Sequence, residues 1–127
     1  MTIEIESLRI GSHVRLCGHR WRVTSIDAMD GVIGVERTIT NDEGTERTIG
    51  HTVNEADPIP LTDELLTELG FKAIEHVGMG HWFLGNFDLI KRKDSRYWEH
   101  DGGIYLEYLH ELEDLYWLKY SSELIKD

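Results

Sequence analysis

The sequence predicts an α+β fold: a β-rich first half, a short helix, an antiparallel meander and a closing helix. Three observations carry this reading. Residues 13–53 alternate apolar and polar side chains between turn-forming dipeptides, the period-2 pattern of half-buried strands. Residues 58–71, Pro-Ile-Pro-Leu-Thr-Asp-Glu-Leu-Leu-Thr-Glu-Leu-Gly-Phe, carry start and stop signals for one short helix. From Tyr108 the apolar period switches to 3.6.

In the first half, His13 to Cys17 alternates with Val14 and Leu16 on one face, and Cys17-Gly18 turns the chain into 19–27, where Trp21 and Val23 share a face. Asp30-Gly31 is a hairpin signal leading into 32–40, and Asn41-Asp-Glu-Gly44 turns the chain again into 45–53. The tetrapeptide Glu-Arg-Thr-Ile stands at 36–39 and again at 46–49, so these two arms are expected to form a solvent-exposed hairpin. Four or five short strands in this stretch predict a small SH3-like β-barrel over residues 1–57, closed by the segment before the helix. The spacing Ile10-Gly11, Val14, Trp21-Arg-Val23, Gly31-Val-Ile33 resembles KOW- and Tudor-type barrels in pattern. A sandwich or an open sheet would give much the same string.

The helix after Pro60 is specified at both ends. Thr62 is a good N-cap, Asp63 and Glu64 place negative charge at the positive end of the helix dipole, and Leu61 can staple against Leu66. Gly70 can take the left-handed position past the end, folding Phe71 back on Leu66. Residues 58–127 form the second expected module, able to pack with the first as one domain.

Eleven of the twelve aromatic residues lie between Phe71 and Tyr120. Segments 81–85, 87–92, 96–100 and 103–108 read as short antiparallel strands, with Gly78-Met-Gly80 as a mobile linker ahead of them. Tyr108, Leu109, Leu112, Leu115, Tyr116 and Lys119 then make one stripe of a helix of about three turns, which puts Glu111, Glu113 and Asp114 on the outer side.

Charge and composition narrow the function. The net charge of −11 is spread evenly, with 10 acids against 6 bases in 1–57, 8 against 5 in 58–104 and 6 against 2 in 105–127. Such a surface repels phosphate backbones and anionic membranes, so nucleic acid and membranes are not expected partners. Cys17 is the only cysteine, and no run reaches the ~18 apolar residues of a membrane span, so a reducing, cytoplasmic setting is expected.

No catalytic, metal or nucleotide motif is present. The seven histidines never take zinc-ligand spacing; His76 and His81 flank a glycine loop but would need His100 or Glu75 to complete a site. Gly78-Met-Gly80 lacks the Lys-Ser or Lys-Thr of a phosphate loop, and Cys17 with His19 in a tight turn is a poor thiol pair. No cofactor, no metal site and no enzymatic activity are expected.

Two surfaces stand out instead. The run Lys91-Arg92-Lys93-Asp94-Ser95-Arg96 is a basic hairpin tip next to Tyr97-Trp98; its cations Lys91, Arg92, Lys93 and Arg96 could meet phosphates while the rings stack bases, although a solvated turn is the ordinary outcome. The rings Trp82, Tyr97, Trp98, Tyr105, Trp117 and Tyr120 exceed what one small core needs, and exposed Trp and Tyr serve as anchors at interfaces. Tyr97, Trp98, Trp117 and Tyr120 are the expected binding residues, for a protein partner or for self-association.

The strings Asp57-Pro-Ile-Pro-Leu-Thr-Asp-Glu-Leu-Leu-Thr-Glu-Leu-Gly-Phe71, His81-Trp-Phe-Leu84 and Tyr108-Leu-His-Glu-Leu-Glu-Asp-Leu-Tyr-Trp117 resemble a group of small proteins encoded in phages and mobile elements of Bacteroidota. In that group a PIPLT helix precedes a short meander and a terminal helix of the form YVHxLQNLY. The resemblance spans roughly residues 5–125. It departs at Glu113-Asp114, where the group has Gln-Asn, and in the tail around Tyr120-Ser-Ser-Glu-Leu124. It implies a genomic setting and supplies no catalytic residue. The resulting expectation is a non-enzymatic accessory protein that binds a protein partner and inhibits a host defence or nucleic-acid enzyme; the alternative is a small-ligand sensor or sponge with a pocket between the modules.

Overall fold

The computed structural model describes residues 2–76, 79–91, 96–99 and 103–126, apart from the side chains of Glu75, His76 and Met79. The fold is α+β with two antiparallel sheets, and the chain divides into two compact units, Met1–Ile59 and Pro60–Asp127.

In the first unit, β1 (His13–Leu16), β2 (His19–Asp27), β3 (Val32–Thr40) and β4 (Glu46–Val53) form a meander in sequence order. Cys17 and Gly18 both have positive φ (50° and 78°) and close a two-residue turn between the paired Leu16 and His19. That backbone matches strand twist, which is why such turns join hairpins tightly. The Asp30-Gly31 signal works differently from expectation. Asp27 pairs with Val32 across a four-residue loop, in which the Asp30 amide donates to Asp27 Oδ1 at 3.1 Å.

β2 bulges between Val23 and Ser25, and Gly34 of β3 faces the bulge. A Cβ on Gly34 would crowd Ser25 Oγ, so a side chain there would require the Ser25 hydroxyl to turn to another rotamer. The two Glu-Arg-Thr-Ile repeats oppose one another as expected, with Thr38 paired to Thr48, Arg37 to Ile49 and Ile39 to Arg47.

The core of this unit comes from alternate strand positions: Val14, Trp21, Val23, Ile33 and Val35 are buried, joined by Ile3, Leu8 and Ala56. The chain returns along the free side of β1, where Arg15 and Asp57 exchange backbone hydrogen bonds of 2.8 and 3.0 Å. Among the described residues the sheet does not close into a barrel; β4 remains an edge, exposed along most of its length.

The second unit opens with α1 (Asp63–Glu68). Thr62 Oγ1 accepts from the Leu65 amide at 3.1 Å. At the other end, Gly70 has φ 97°, its amide donates to Thr67 O, and the Phe71 amide donates to Leu66 O. These two bonds make a Schellman motif, so the helix stops where the sequence says it should.

β5 (Lys72–His76), β6 (Met79–Leu84), β7 (Phe87–Lys91), β8 (Tyr97–Glu99) and β9 (Ile104–Leu106) follow as a five-stranded meander. The expected linker is therefore corrected. Lys72–His76 pairs with Met79–Leu84 as an edge strand, while Val77 and Gly78 lie outside the described residues. Lys72, Ala73 and Ile74, the β5 residues whose side chains are described, are all exposed, so they carry no alternation of buried and exposed positions.

α2 (Leu109–Tyr120) is capped by Glu111, whose Oε1 accepts from the amides of Glu107 and Tyr108, and it ends at Ser121 in the left-handed region. It covers one face of the sheet: the Phe87 ring lies 5.7 Å from that of Tyr116 and 6.3 Å from that of Tyr120. The expected stripe is rotated. Glu113, placed outside by its charge, is fully buried together with Leu109 and Leu112, and His110 is buried as well.

Candidate binding face and the polar core beneath it

Strand pairing divides the side chains of the second sheet between two faces. Trp82, Phe87, Leu89, Tyr97, Glu99 and Leu106 point to the helix-covered side and are buried. The alternate positions point outward. There Ile74 opposes His81, His81 opposes Ile90, Ile90 opposes Trp98 and Trp98 opposes Tyr105, a continuous row across all five strands. Beside it runs a second row of Lys72, Phe83 and Asp88.

This face is apolar yet accessible: Ile74 is 55% and Tyr105 42% exposed. Its rings touch, with His81 at 5.8 Å from Phe83 and Trp98 at 6.4 Å from Tyr105. His81 Nε2 lies 3.3 Å from Asp88 Oδ1. The guanidinium carbon of Arg96 lies 4.2 Å from the centre of the Tyr105 ring, a cation–π contact.

The expected binding residues do not share one surface. Trp98 is on the outward row. Tyr97, its neighbour, points the opposite way and is 2% exposed, because adjacent strand residues alternate sides. Trp82 is likewise buried. Trp117 and Tyr120 are partly exposed but belong to α2, on the covered side of the sheet. Arg92 and Lys93 lie outside the described residues. Lys91 is a correction: it ends β7 and turns inward, its Nζ 2.9 and 3.0 Å from the two carboxylate oxygens of Asp63. Ile74, His81, Phe83 and Ile90 were missed, because only pairing of the strands aligns them into rows.

Beneath the covered side lies a polar group of a different kind. Asp63 also accepts the hydroxyl proton of Tyr97, and Lys91 lies 5.6 Å over the Tyr97 ring. Burial alone would push the Asp63 carboxyl up, but the hydrogen bonds from Tyr97 and Lys91 outweigh it and hold it below the usual carboxylate range. Burial, then the hydrogen bond to the Asp63 carboxylate, push the Tyr97 hydroxyl far up. Through these bonds the trio fastens the first residue of α1 to β7 and β8. Nearby, Lys119 Nζ contacts the buried Glu99 Oε1 at 2.8 Å.

A cleft of about 300 Å³ opens at the end of β8 and β9, between Leu61, Tyr97, Leu106 and Tyr108, with Arg96 at its rim. Among the described residues no three His, Cys, Asp or Glu side chains come together to hold a metal ion; the side chains of Glu75 and His76, and His100 itself, lie outside that description. No helix among the described residues is long and apolar enough to cross a membrane. No protein-family model, no curated protein and no solved structure matches this chain.

Proposed function

We propose that this chain is a non-enzymatic binding protein that docks a protein partner on the outward face of its five-stranded sheet. The observation that carries the reading is the unbroken row Ile74–His81–Ile90–Trp98–Tyr105, apolar and aromatic on a side that solvent reaches. Strands with one face on a core ordinarily turn polar residues outward. Apolar rings kept on the wet side cost solubility and repay it on binding. The setting, a cytoplasmic accessory protein of a phage or mobile element that inhibits a host defence or nucleic-acid enzyme, rests on the resemblance of the two helical motifs. The first unit is read as an SH3-like barrel in which residues 56–57 take the place of a last strand; the paired backbone bonds of Arg15 and Asp57 support it.

The test is capture from nuclease-treated host lysate by the full chain, run beside Trp98→Ala, Tyr105→Ala and Trp117→Ala, each checked for folding by circular dichroism. The expected result is one stoichiometric protein retained by wild type and Trp117→Ala and lost, by about tenfold or more in affinity, from the other two. Folded Trp98→Ala and Tyr105→Ala chains that retain the partner in full would remove the sheet-face reading.

The cleft favours a second reading, a small-ligand sensor or sponge, because its volume reaches the lower bound of small-molecule sites, about 300 Å³. A thermal-shift screen against nucleotides and metals that moves nothing would count against it.

A further inference from the structure

We infer that the free edge of β4 is an interface between two copies of this chain, which pair their β4 strands antiparallel about a two-fold axis at Thr48. The edge belongs to the first unit, so the inference stands or falls independently of the docking role proposed for the second.

Backbone geometry decides which groups the edge offers. The Asn41 amide donates to Thr45 O at 3.0 Å, which makes Asn41 and Thr45 a bonded pair at the tip of the β3–β4 hairpin. Bonded and non-bonded pairs alternate along an antiparallel ladder. Ile39–Arg47, Arg37–Ile49 and Val35–His51 are therefore bonded, whereas Thr40–Glu46, Thr38–Thr48, Glu36–Gly50 and Gly34–Thr52 are not. The Thr38 and Thr48 hydroxyl oxygens lie 3.3 Å apart, in keeping with the closer spacing of a non-bonded pair. The N–H and C=O groups of Glu46, Thr48, Gly50 and Thr52 thus point away from β3, and among the described residues no strand lies beyond them. These residues are exposed.

The first sheet treats its two edges differently. The outer side of β1 is taken by Asp57 through its backbone bonds with Arg15. β4 is eight residues long, keeps an unbroken register with β3 and contains no proline or lysine, so bulge, proline and lysine are all missing as means of blunting it. Its Glu46 and Arg47 cancel, so the −11 of the chain is not concentrated along this strand.

Sequence selects a second copy as the occupant. Over 36–39 the strand already beside β4 reads Glu-Arg-Thr-Ile, as β4 itself does over 46–49, and the two run antiparallel with threonine against threonine. Another copy brings the same tetrapeptide to the free side. With the axis at Thr48, that residue faces its own copy, Arg47 faces Ile49 and Glu46 faces Gly50. These are the side-chain partnerships seen within the chain as Thr38–Thr48, Ile39–Arg47, Arg37–Ile49 and Glu36–Gly50, here at the wider spacing of bonded pairs. Residues with outward backbone groups then oppose one another, as bonds across the axis require. An axis at Glu46 or Arg47 would instead set like charges face to face. Pairing about a two-fold also closes, because each chain spends its β4 edge once.

The experiment is sedimentation velocity of the full chain over a concentration series reaching the high micromolar range, beside Thr48→Pro, Thr48→Lys and Thr48→Glu, each checked for folding by circular dichroism. Proline here removes an outward N–H and leaves the bonds to β3 in place. Wild type should show a monomer–dimer equilibrium, and each variant alone should associate about tenfold or more weakly. An equimolar mixture of the Lys and Glu variants should regain the dimer, since opposite charges then meet at the axis. If the proline variant fails to fold, the charged pair decides alone. A wild-type chain that stays monomeric throughout would overturn the inference, as would a dimer that survives in the folded Thr48→Lys and Thr48→Glu chains. A mixture that stays monomeric would overturn the axis at Thr48. A dimer lost from Trp98→Ala but kept by the Thr48 variants would overturn the β4 edge in favour of the second sheet.

Discussion

Lys119, one residue before the end of α2, reaches the carboxylate of Glu99 in β8 at 2.8 Å, and Glu99 is 1% exposed. Two elements distant in sequence thus meet through a charge that the core has swallowed. Removing the cation leaves a buried carboxylate short of a partner, whereas neutralising the carboxylate relieves its desolvation. Lys119→Met should therefore cost about 3 kcal/mol, the low end for a buried pair because the lysine keeps part of its exposure. Glu99→Gln should cost less. Urea denaturation of both variants gives the comparison, and a larger loss for Glu99→Gln would contradict this assignment.

Tyr97 and Asp63 tie β8 to the first residue of α1. Hydrogen bonds to charged groups contribute about 1.5–3 kcal/mol, so Tyr97→Phe should destabilise by roughly 2 kcal/mol, and Asp63→Asn by a comparable amount. In a double-mutant cycle the pair should fall short of the sum of the single losses. Additive losses would mean that the two residues act independently.

The ends of α1 supply a third test. Thr62→Ala removes the acceptor for the Leu65 amide and should cost about 1 kcal/mol. Gly70→Ala forces a side chain onto φ 97° and should cost about 1 kcal/mol or more, although the nearest side-chain atom would sit at a comfortable 3.7 Å. The loss is therefore conformational, and trimming Leu84 should not rescue it.

His110 predicts a pH dependence. Burial holds its imidazole below the usual value of 6.5, against the opposing pull of Glu111, Asp114 and Glu113. Its Nδ1 is buried without a hydrogen-bond partner. The unfolded chain then takes up a proton near pH 6.5 that the folded chain refuses. The contribution to stability is full above pH 6.5 and declines as pH falls toward the lowered folded value. Thermal midpoints measured from pH 7.5 to 5 should drop more steeply for wild type than for His110→Phe. Parallel curves would show that His110 takes no part.

Much of the architecture was legible because local chemistry dictates it. Thr62 and Gly70 end α1 through their own hydrogen-bonding and backbone preferences, and Cys17-Gly18 and Asn41–Gly44 turn the chain with no help from distant residues. Alternation over 13–53 marked Val14, Trp21 and Val23 as core because a strand in water must bury one side. What sequence alone could not decide was which residues would meet. In the edge strand β5 the described side chains, Lys72, Ala73 and Ile74, are all exposed and leave no pattern. Glu113 and Tyr97 looked exposed by chemistry, yet the packing of α2 and the alternation of β8 put both inside. The binding face is the clearest case. Ile74, His81, Ile90, Trp98 and Tyr105 are scattered over 32 positions, and only the register of five antiparallel strands sets them side by side. Local propensity is a property of neighbours along the chain, while a surface belongs to neighbours across the sheet, which the tertiary structure alone assigns.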